Sequence, residues 1–576
     1  MSDIVTDILS RFDVLANNRT QWESVWQDIA KYCLPDTARF VVGSSTMNPS
    51  SFDQFAQGPV SIERGRDRYD DTALRAVDRL ASGMESLITP QNEKWHGLAT
   101  MDPFAPEDSD QDKEYYEQVR DYMFKVRYNP RSGFEGAHQK ALRSCIALGT
   151  GVVFIEEAIK GDVVSTPALY RHIPLSQAYL AVNAQGEADT CYRKFGMTAR
   201  QMVQQFGKDR VHPSVARIAD DPSNKDKQFE MVHAVQPRSE SAGWGATNKS
   251  AAYASYYIDR SNNHLIGESG FFEFPFVVYY WAPVEENIPY AQSPVMMAMA
   301  DIKGLNAVRK TALRGLQQFI DPPMAIAHDG VMNRPNLNPR AINYRAIDEN
   351  GRLKIQPIMT QQRPDFVQEI VEAERKNIND SLYVTLFQIL AQSSPDMTAT
   401  EAMIRANEKG ELLGPAGSKI QNAMSREVER LFGIMERKGA MRPGRALAPP
   451  DDLRGKNFGA RFTSPLDRLR QMQEVIGIQR TLQVIVPLAQ ADAGILDNFD
   501  MDEIARVTTT ANGAPQKIMK TIDERDAARA ARQQTQQTMQ ALQAANVAGD
   551  AAKNLVPAVG QASAMLGNGQ VGAPGQ

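Results

Sequence analysis

The chain has 576 residues, 42% hydrophobic and 23% charged, with a formal net charge of -5 and a pI near 5.9. That length allows about three or four ordinary domains with real cores, while the acidic balance excludes the basic face that marks a tight nucleic-acid binder and leaves only weak or sliding contact with DNA open. The three separated cysteines, Cys33, Cys145 and Cys191, exclude a disulfide framework and a four-cysteine zinc site and fit a reducing compartment.

The opening "MSDIVTDILSRFD" mixes acidic with apolar residues and does not read as a signal peptide. Trp22, Val25, Trp26, Ile29 and Tyr32 then recur at helical spacing as far as Pro35, and Leu74, Val77, Leu80, Ala81, Met84, Leu87 and Ile88 do so as far as Pro90. Helices are predicted over Tyr115 to Tyr128 and Phe134 to Leu148, followed by a strand in "GTGVVFIEEA". From there to about Tyr280 short β-branched and aromatic runs dominate: "DVVSTPALYRHIP", "QAYLAVNAQG", "CYRKFGM", "FEMVHAVQP", "AYASYYIDR" and "FPFVVYYW". Helices near Thr198 to Phe206 and Pro213 to Ile218 interrupt them, which makes an α+β body. The most apolar window, Phe271 to Val284, is broken by Glu273, Pro275 and Pro283 and is too short to span a bilayer as a helix.

A helix on the order of 35 to 40 Å long is predicted for Pro294 to Ile320, stopped by "DPP" at Asp321 to Pro323. A Pro-, Asn- and Gly-containing segment follows to Pro364, and Phe366 to Leu390 reads as a second long helix. After the break "AQSSPDMTATEA", Thr398 and Glu401 form a capping-box pattern. Helical period continues from Ala416 to a Gly439 C-cap. Ser464 with Pro465 is placed to open another helix, and a last one is predicted in "DERDAARAARQQTQQTMQALQAANVAG", with a flexible tail beyond Ala551.

Enzymatic signatures are missing. The seven histidines, His96, His138, His172, His212, His233, His264 and His328, never fall in a His-Glu-x-x-His or His-x-His arrangement and read as structural or solvent-facing. Gly149-x-Gly151 follows a helix and enters a strand, the reverse of a dinucleotide site, and no phosphate-loop sequence occurs. The acidic "DNFDMDEIA" has Asp497, Asp500, Asp502 and Glu503 without the alternation or central Gly of a calcium loop, so it reads as a helix start. No cofactor, metal or catalytic residue is expected.

Four longer stretches carry a resemblance: "DTALRAVDRLASGMESLITPQNEKWHGL" from Asp71, "FEGAHQKALRSCIALGTGVVFIEE" from Phe134, "FPFVVYYWAPVEENIPYAQSPVMMAMADIKGLN" from Phe274 and "MTATEAMIRANEKGELLGPAGSKI" from Met397. With the similar order between them, Asp3 to Lys520 resembles the head-to-tail connecting (portal) proteins of short-tailed, T7-like bacteriophages. The family often has Gly-x-x-Tyr-Gly before its first long helix, where this chain has "ENIPYAQSP".

The resemblance implies an α+β portal fold assembled as a ring, usually of twelve subunits, at one capsid vertex between head and tail, with assembly in the host cytoplasm. Residues 1–290 would form the wing body, 291–320 the first stem helix, 321–364 a small α/β clip and 365–390 the second stem helix. Residues 391–400 would be a tunnel loop, 401–520 wing extension and crown helices, and 521–576 a helix and tail with a candidate barrel. The loop residues expected to line the channel are Ser393, Ser394, Pro395, Asp396, Met397 and Thr398. The candidate weak DNA contacts are Lys303, Arg309, Lys310 and Arg314 on the first long helix and Arg375 and Lys376 on the second, with surface charge or intersubunit ion pairs as the competing reading. The implied partners are further copies of the chain, the major capsid protein, the scaffolding protein, the terminase large subunit, the tail adaptor protein, internal core or ejection proteins, and double-stranded DNA in transit, with no membrane. An internal virion or ejection protein and a metal-dependent phage nuclease are the alternatives. In "FPFVVYYW" followed by "YAQSPVMMAMADIKGLN" the body would turn into the stem, where small and Met side chains let neighbouring helices approach.

Overall fold

The computed structural model describes residues 2–35, 68–101, 104, 109–158, 166–238, 250–320, 323–326, 347, 350, 352–353, 355–357, 364–385, 399–442, 444–445, 447–450, 458–463, 477–488, 493–511, 519–520, 524–541 and 543. They divide into two units, one of residues 1–108 with 115–474 and another of residues 109–114 with 475–576.

The first unit opens with helix α1 (Ser2–Tyr32), α2 (Thr72–Ile88), strand β1 (His96–Thr100), the part of α3 (Asp110–Arg127) from Tyr115 onward, and α4 (Phe134–Leu148). Helix α4 fills the centre: Phe134, Ala137, Ala141, Leu142, Cys145, Ile146, Ala147 and Leu148 are all buried. Each fully buried Leu, Ile or Phe contributes about 1.5–3 kcal/mol of apolar transfer, so this short helix is a main contributor to the core. Trp26 on α1 joins it by donating its indole N–H to the Leu148 carbonyl at 3.0 Å.

Two antiparallel sheets follow. Strand β2 (Thr150–Glu157) is flanked by β3 (Ala168–Ile173) and by β9 (Phe276–Tyr280), with Val152 opposite both Ile173 and Val278. The second sheet runs in order β4 (Ala178–Val182), β5 (Ala188–Thr198), β6 (Gln228–Pro237), β7 (Tyr253–Asp259) and β8 (His264–Phe271). Alternate side chains of a strand face opposite ways. On β6, Val232 and Ala234 join a cluster with Val5, Ile8 and Phe12 of α1, while Phe229 and Met231 join one with Met202 and Val215 of α5 (Ala199–Phe206) and α6 (Pro213–Asp220). Helix α5 opens with a capping box in which the Thr198 hydroxyl accepts from the Gln201 N–H and the Gln201 side chain accepts from the Thr198 N–H.

After β9 a two-residue ladder of β10 (Ala282–Pro283) and β11 (Ala291–Gln292) leads into α7 (Pro294–Met297) and α8 (Met299–Ile320). The expected single helix from Pro294 is thus interrupted at Ala298, whose ψ is 0°. Strands β12 (Met324–Ile326) and β13 (Ile355–Pro357) pair antiparallel between α8 and α9 (Pro364–Ser381). The expected run from Phe366 is interrupted at Leu382 and Tyr383, where Tyr383 takes a left-handed backbone with φ +57°, and Val384 and Thr385 are helical again. Residues 386–390 lie outside the described residues.

Helix α10 (Ala399–Arg437) runs continuously with Pro415 inside it. It buries Ala416, Ile420, Ala423, Met424, Val428, Leu431, Ile434 and Met435, an apolar stripe at helical spacing. Gly439, at φ +77°, ends it as expected, with Gly439 N–H donating to the Glu436 carbonyl and Ala440 N–H to that of Met435. Strand β14 (Phe458–Phe462) returns to pair with β1, His96 opposite Phe462.

In the second unit residues 477–488 and 524–541 are helical, as is α11 (Met501–Ala511). The Asp500 carboxylate accepts from the Asp502 and Glu503 N–H groups at 3.0 and 3.1 Å, so the acidic cluster is a helix cap. Asp502 in turn accepts from Arg525 and, at 2.7 Å through both oxygens, from Arg529.

Candidate nucleic-acid interface

The turn that launches the first long helix is built by close backbone contact. Gly149 caps α4 at φ +86°, and a Cβ there would lie 1.8 Å from the Ala291 carbonyl oxygen; one on Gly151 would lie 2.1 Å from that of Ala141. The Gly-x-Gly is therefore a packing device. Thr150 extends the contact by accepting from the Ala291 N–H at 3.1 Å, and the Ser293 hydroxyl donates to the Ala147 carbonyl while capping the Met296 N–H. Tyr290 is buried against Trp26 and Trp22. The departure "ENIPYAQSP" thus keeps its Tyr as a core residue and begins α7 with a Ser cap.

Helix α8 packs against α9, and a short strap before α2 holds both. The Tyr69 N–H donates to the buried Asn306 side chain on α8 at 2.7 Å, and Lys310 Nζ sits 5.5 Å from the centre of the Tyr69 ring. Asp70 divides its oxygens. Oδ1 accepts from the Thr72 N–H at 2.9 Å and from its hydroxyl at 2.5 Å, whereas Oδ2 accepts from Arg375 on α9 at 2.7 and 3.1 Å. Arg309 of α8 is ion-paired to the same Oδ2 at 3.6 Å. Burial pushes the Asp70 carboxyl up, but the hydrogen bonds from Thr72 and Arg375 outweigh it and hold it below its ordinary value.

Of the six candidate DNA contacts, three are therefore ion-paired within the chain: Arg309 and Arg375 with Asp70, and Lys303 with Asp28 of α1 at 2.6 Å. Lys310 is half-buried against Tyr69, and Arg314 and Lys376 are exposed. The loop residues Ser393, Ser394, Pro395, Asp396, Met397 and Thr398 lie outside the described residues, and helix α10 begins at Ala399. The charges on the helix pair were visible in sequence; Asp28 and Asp70, which neutralise them, were not.

Two further networks brace α10. Arg127 and Glu427 are both buried and joined bidentately at 2.7 and 3.1 Å, and Tyr170 donates to the same carboxylate at 2.5 Å. Arg127 also donates to His96 Nε2 at 3.1 Å, which places the His96 proton on Nδ1, facing the Gly97 carbonyl. Burial and the adjacent Arg127 hold His96 well below its ordinary pKa, so the ring is neutral. Along the same helix Arg430 and Arg437 converge on Glu273, and Arg437 and Lys438 reach Glu157. Gly433 leaves the space that Glu273 occupies, since a Cβ there would meet its Oε1 at 2.3 Å.

Two more buried histidines are held by hydroxyl groups. His138 lies between the Thr89 and Tyr279 hydroxyls, and His233 stacks on Tyr257 and bonds Ser255. Among the described residues no three His, Cys, Asp or Glu side chains are grouped to hold a metal ion, and no helix is long and apolar enough to cross a membrane.

Fold and site together define an α+β body from which an ion-paired couple of long helices departs around a small β ladder. A family model described as "Bacteriophage head to tail connecting protein" matches residues 5–519, and the chain belongs to that family. It is 28% identical over 531 residues to the portal protein of Salmonella phage epsilon15, covering 90% of each chain. It is 26% identical over 504 residues to a probable portal protein of Bordetella phage BPP-1, covering 86% of this chain and 85% of that one. Among solved structures, the virion of a native gene transfer agent (GTA) particle aligns with a TM-score of 0.35 at 11% identity, over 82% of this chain and 96% of that one. The neck of an empty GTA particle aligns with a TM-score of 0.32 at 11% identity, over 65% and 82%.

Proposed function

We propose that the chain is the portal subunit of a bacteriophage: a structural protein at the head-to-tail junction of the virion that forms a DNA channel. The observation that carries this reading is the family match over residues 5–519, with one portal relative aligned over 90% of its length and another over 85%. Several copies close into a ring, in which residues 1–290 form the wing, 291–320 and 365–390 the stem, 321–364 the clip, 391–400 the tunnel loop and 401–520 the wing extension and crown. The two long helices joined through β12 and β13 support the stem-and-clip assignment. Leu313, Leu316 and Ile320 stand exposed along the distal half of α8, an apolar row suited to burial against another copy. Double-stranded DNA passes inward during packaging and outward during ejection, the clip meeting the terminase and afterwards the tail adaptor.

The channel must pass a genome without holding it. Each phosphate neutralised by a cation adds salt-dependent affinity. The ion pairs that already occupy Lys303, Arg309 and Arg375 support a low-grip surface, with Arg314 and Lys376 as the exposed cations for transient contact.

Shortening residues 393–398 tests the loop assignment. The expected outcome is particles whose portal rings are intact but whose DNA filling or retention is reduced, measured as packaged DNA per head. Unchanged filling and retention would remove the loop from the channel.

A further inference from the structure

We infer that Asp70 is an internal counter-ion that competes with DNA phosphate for Arg309 and Arg375, so that the helix pair guides a duplex without gripping it. The inference rests on the reading that this helix pair faces DNA.

Three observations carry it. The Asp70 side chain is only 4% exposed, yet the arginine side chains it holds are 35% exposed at Arg309 and 40% at Arg375. The buried carboxylate thus pairs with two side chains that stay partly open to solvent. The grip is also unequal: Arg375 is hydrogen-bonded through two nitrogens, but Arg309 Nε lies 3.6 Å from Oδ2 and has no hydrogen-bond partner. Finally, among the described residues of the strap and the helices it touches, four cations, Arg68, Arg309, Lys310 and Arg375, accompany two carboxylates, Asp70 and Asp71. Among the described residues Asp70 pairs with Arg309 and Arg375 and Asp71 with Arg68, Lys310 lies over the Tyr69 ring, and Arg68 Nη1 also lacks a hydrogen-bond partner.

A phosphate oxygen offers a guanidinium the same acceptor geometry as a carboxylate. A passing duplex must therefore displace Asp70 to engage either arginine fully, and Asp70 returns because Thr72 keeps its other oxygen anchored. Asp70→Asn preserves that anchor and removes the charge.

The test is binding of a short duplex to the full-length protein, followed by fluorescence anisotropy across about 50 to 200 mM salt. D70N is expected to bind about tenfold tighter at the low-salt end and to steepen the slope of log affinity against log salt by up to about 2, one phosphate per freed arginine. Adding R309Q and R375Q to D70N should reverse both changes. A folded D70N, judged by its thermal melt, with wild-type affinity and slope overturns the inference. Should D70N not fold, R309Q/R375Q in the wild-type background decides: the inference expects little change, and a loss as large as that of R314Q/K376Q overturns it. R314Q/K376Q also separates the two levels. If it weakens binding while D70N does not strengthen it, the counter-ion role alone falls; if neither variant alters binding, the DNA-facing assignment falls with it.

Discussion

At His138 burial links stability to acid. The ring is enclosed and hydrogen-bonded on both nitrogens by hydroxyls, which supply one donor and one acceptor to a neutral imidazole. Burial, followed by the nearby Arg127, lowers its pKa from 6.5 to about 3. Below 6.5 the unfolded chain therefore binds a proton that the folded chain refuses, so stability from this group is complete above 6.5 and falls as pH drops toward 3. His138→Asn should be less stable than wild type at about pH 7 but lose less additional stability between about pH 7 and about 4.5. Chemical denaturation at the two pH values checks this, and parallel losses in both proteins would exclude His138 as a source of acid sensitivity. His233, also lowered to about 3 by burial, contributes in the same direction.

Between elements, the Arg127–Glu427 pair joins α3 to α10 at a site where both side chains are essentially out of water. Removing one charge leaves the other buried and unpaired, which costs about 3–5 kcal/mol. Glu427→Ala should therefore lower stability by that amount in denaturant unfolding, whereas Glu187→Ala, which breaks an exposed pair to Arg426, should cost about 1 kcal/mol or less. Equal effects would mean that burial does not set the strength of the bracing. These elements also show what a linear reading reaches. Helices with a long apolar stripe were legible, and Phe134–Leu148 matches its expected bounds because local pattern and core packing agree. Strand β8 was missed because "HLIGESGF" lacks a β-branched run, and β1–β14 because their pairing joins distant segments. Pro415 did not break α10, whose apolar stripe is packed on the body from Ala416 onward. The site was half legible: six cations could be placed on two helices, but Asp70 lies 305 residues from Arg375 and only folding joins them.

For the whole molecule, the central claim is that copies of this chain close around a DNA-wide opening. The family match spans almost the full α+β body and both long helices, and the exposed apolar row on α8 supports a surface that another copy covers. Closure is a property of the angle between subunits, so it is read from particles rather than from one chain. Electron microscopy of the purified full-length protein, with and without capsid partners, measures it directly. The account predicts closed rings of about twelve subunits with a central hole wide enough for duplex DNA; monomers, open filaments or rings too narrow for a duplex under both conditions would contradict it.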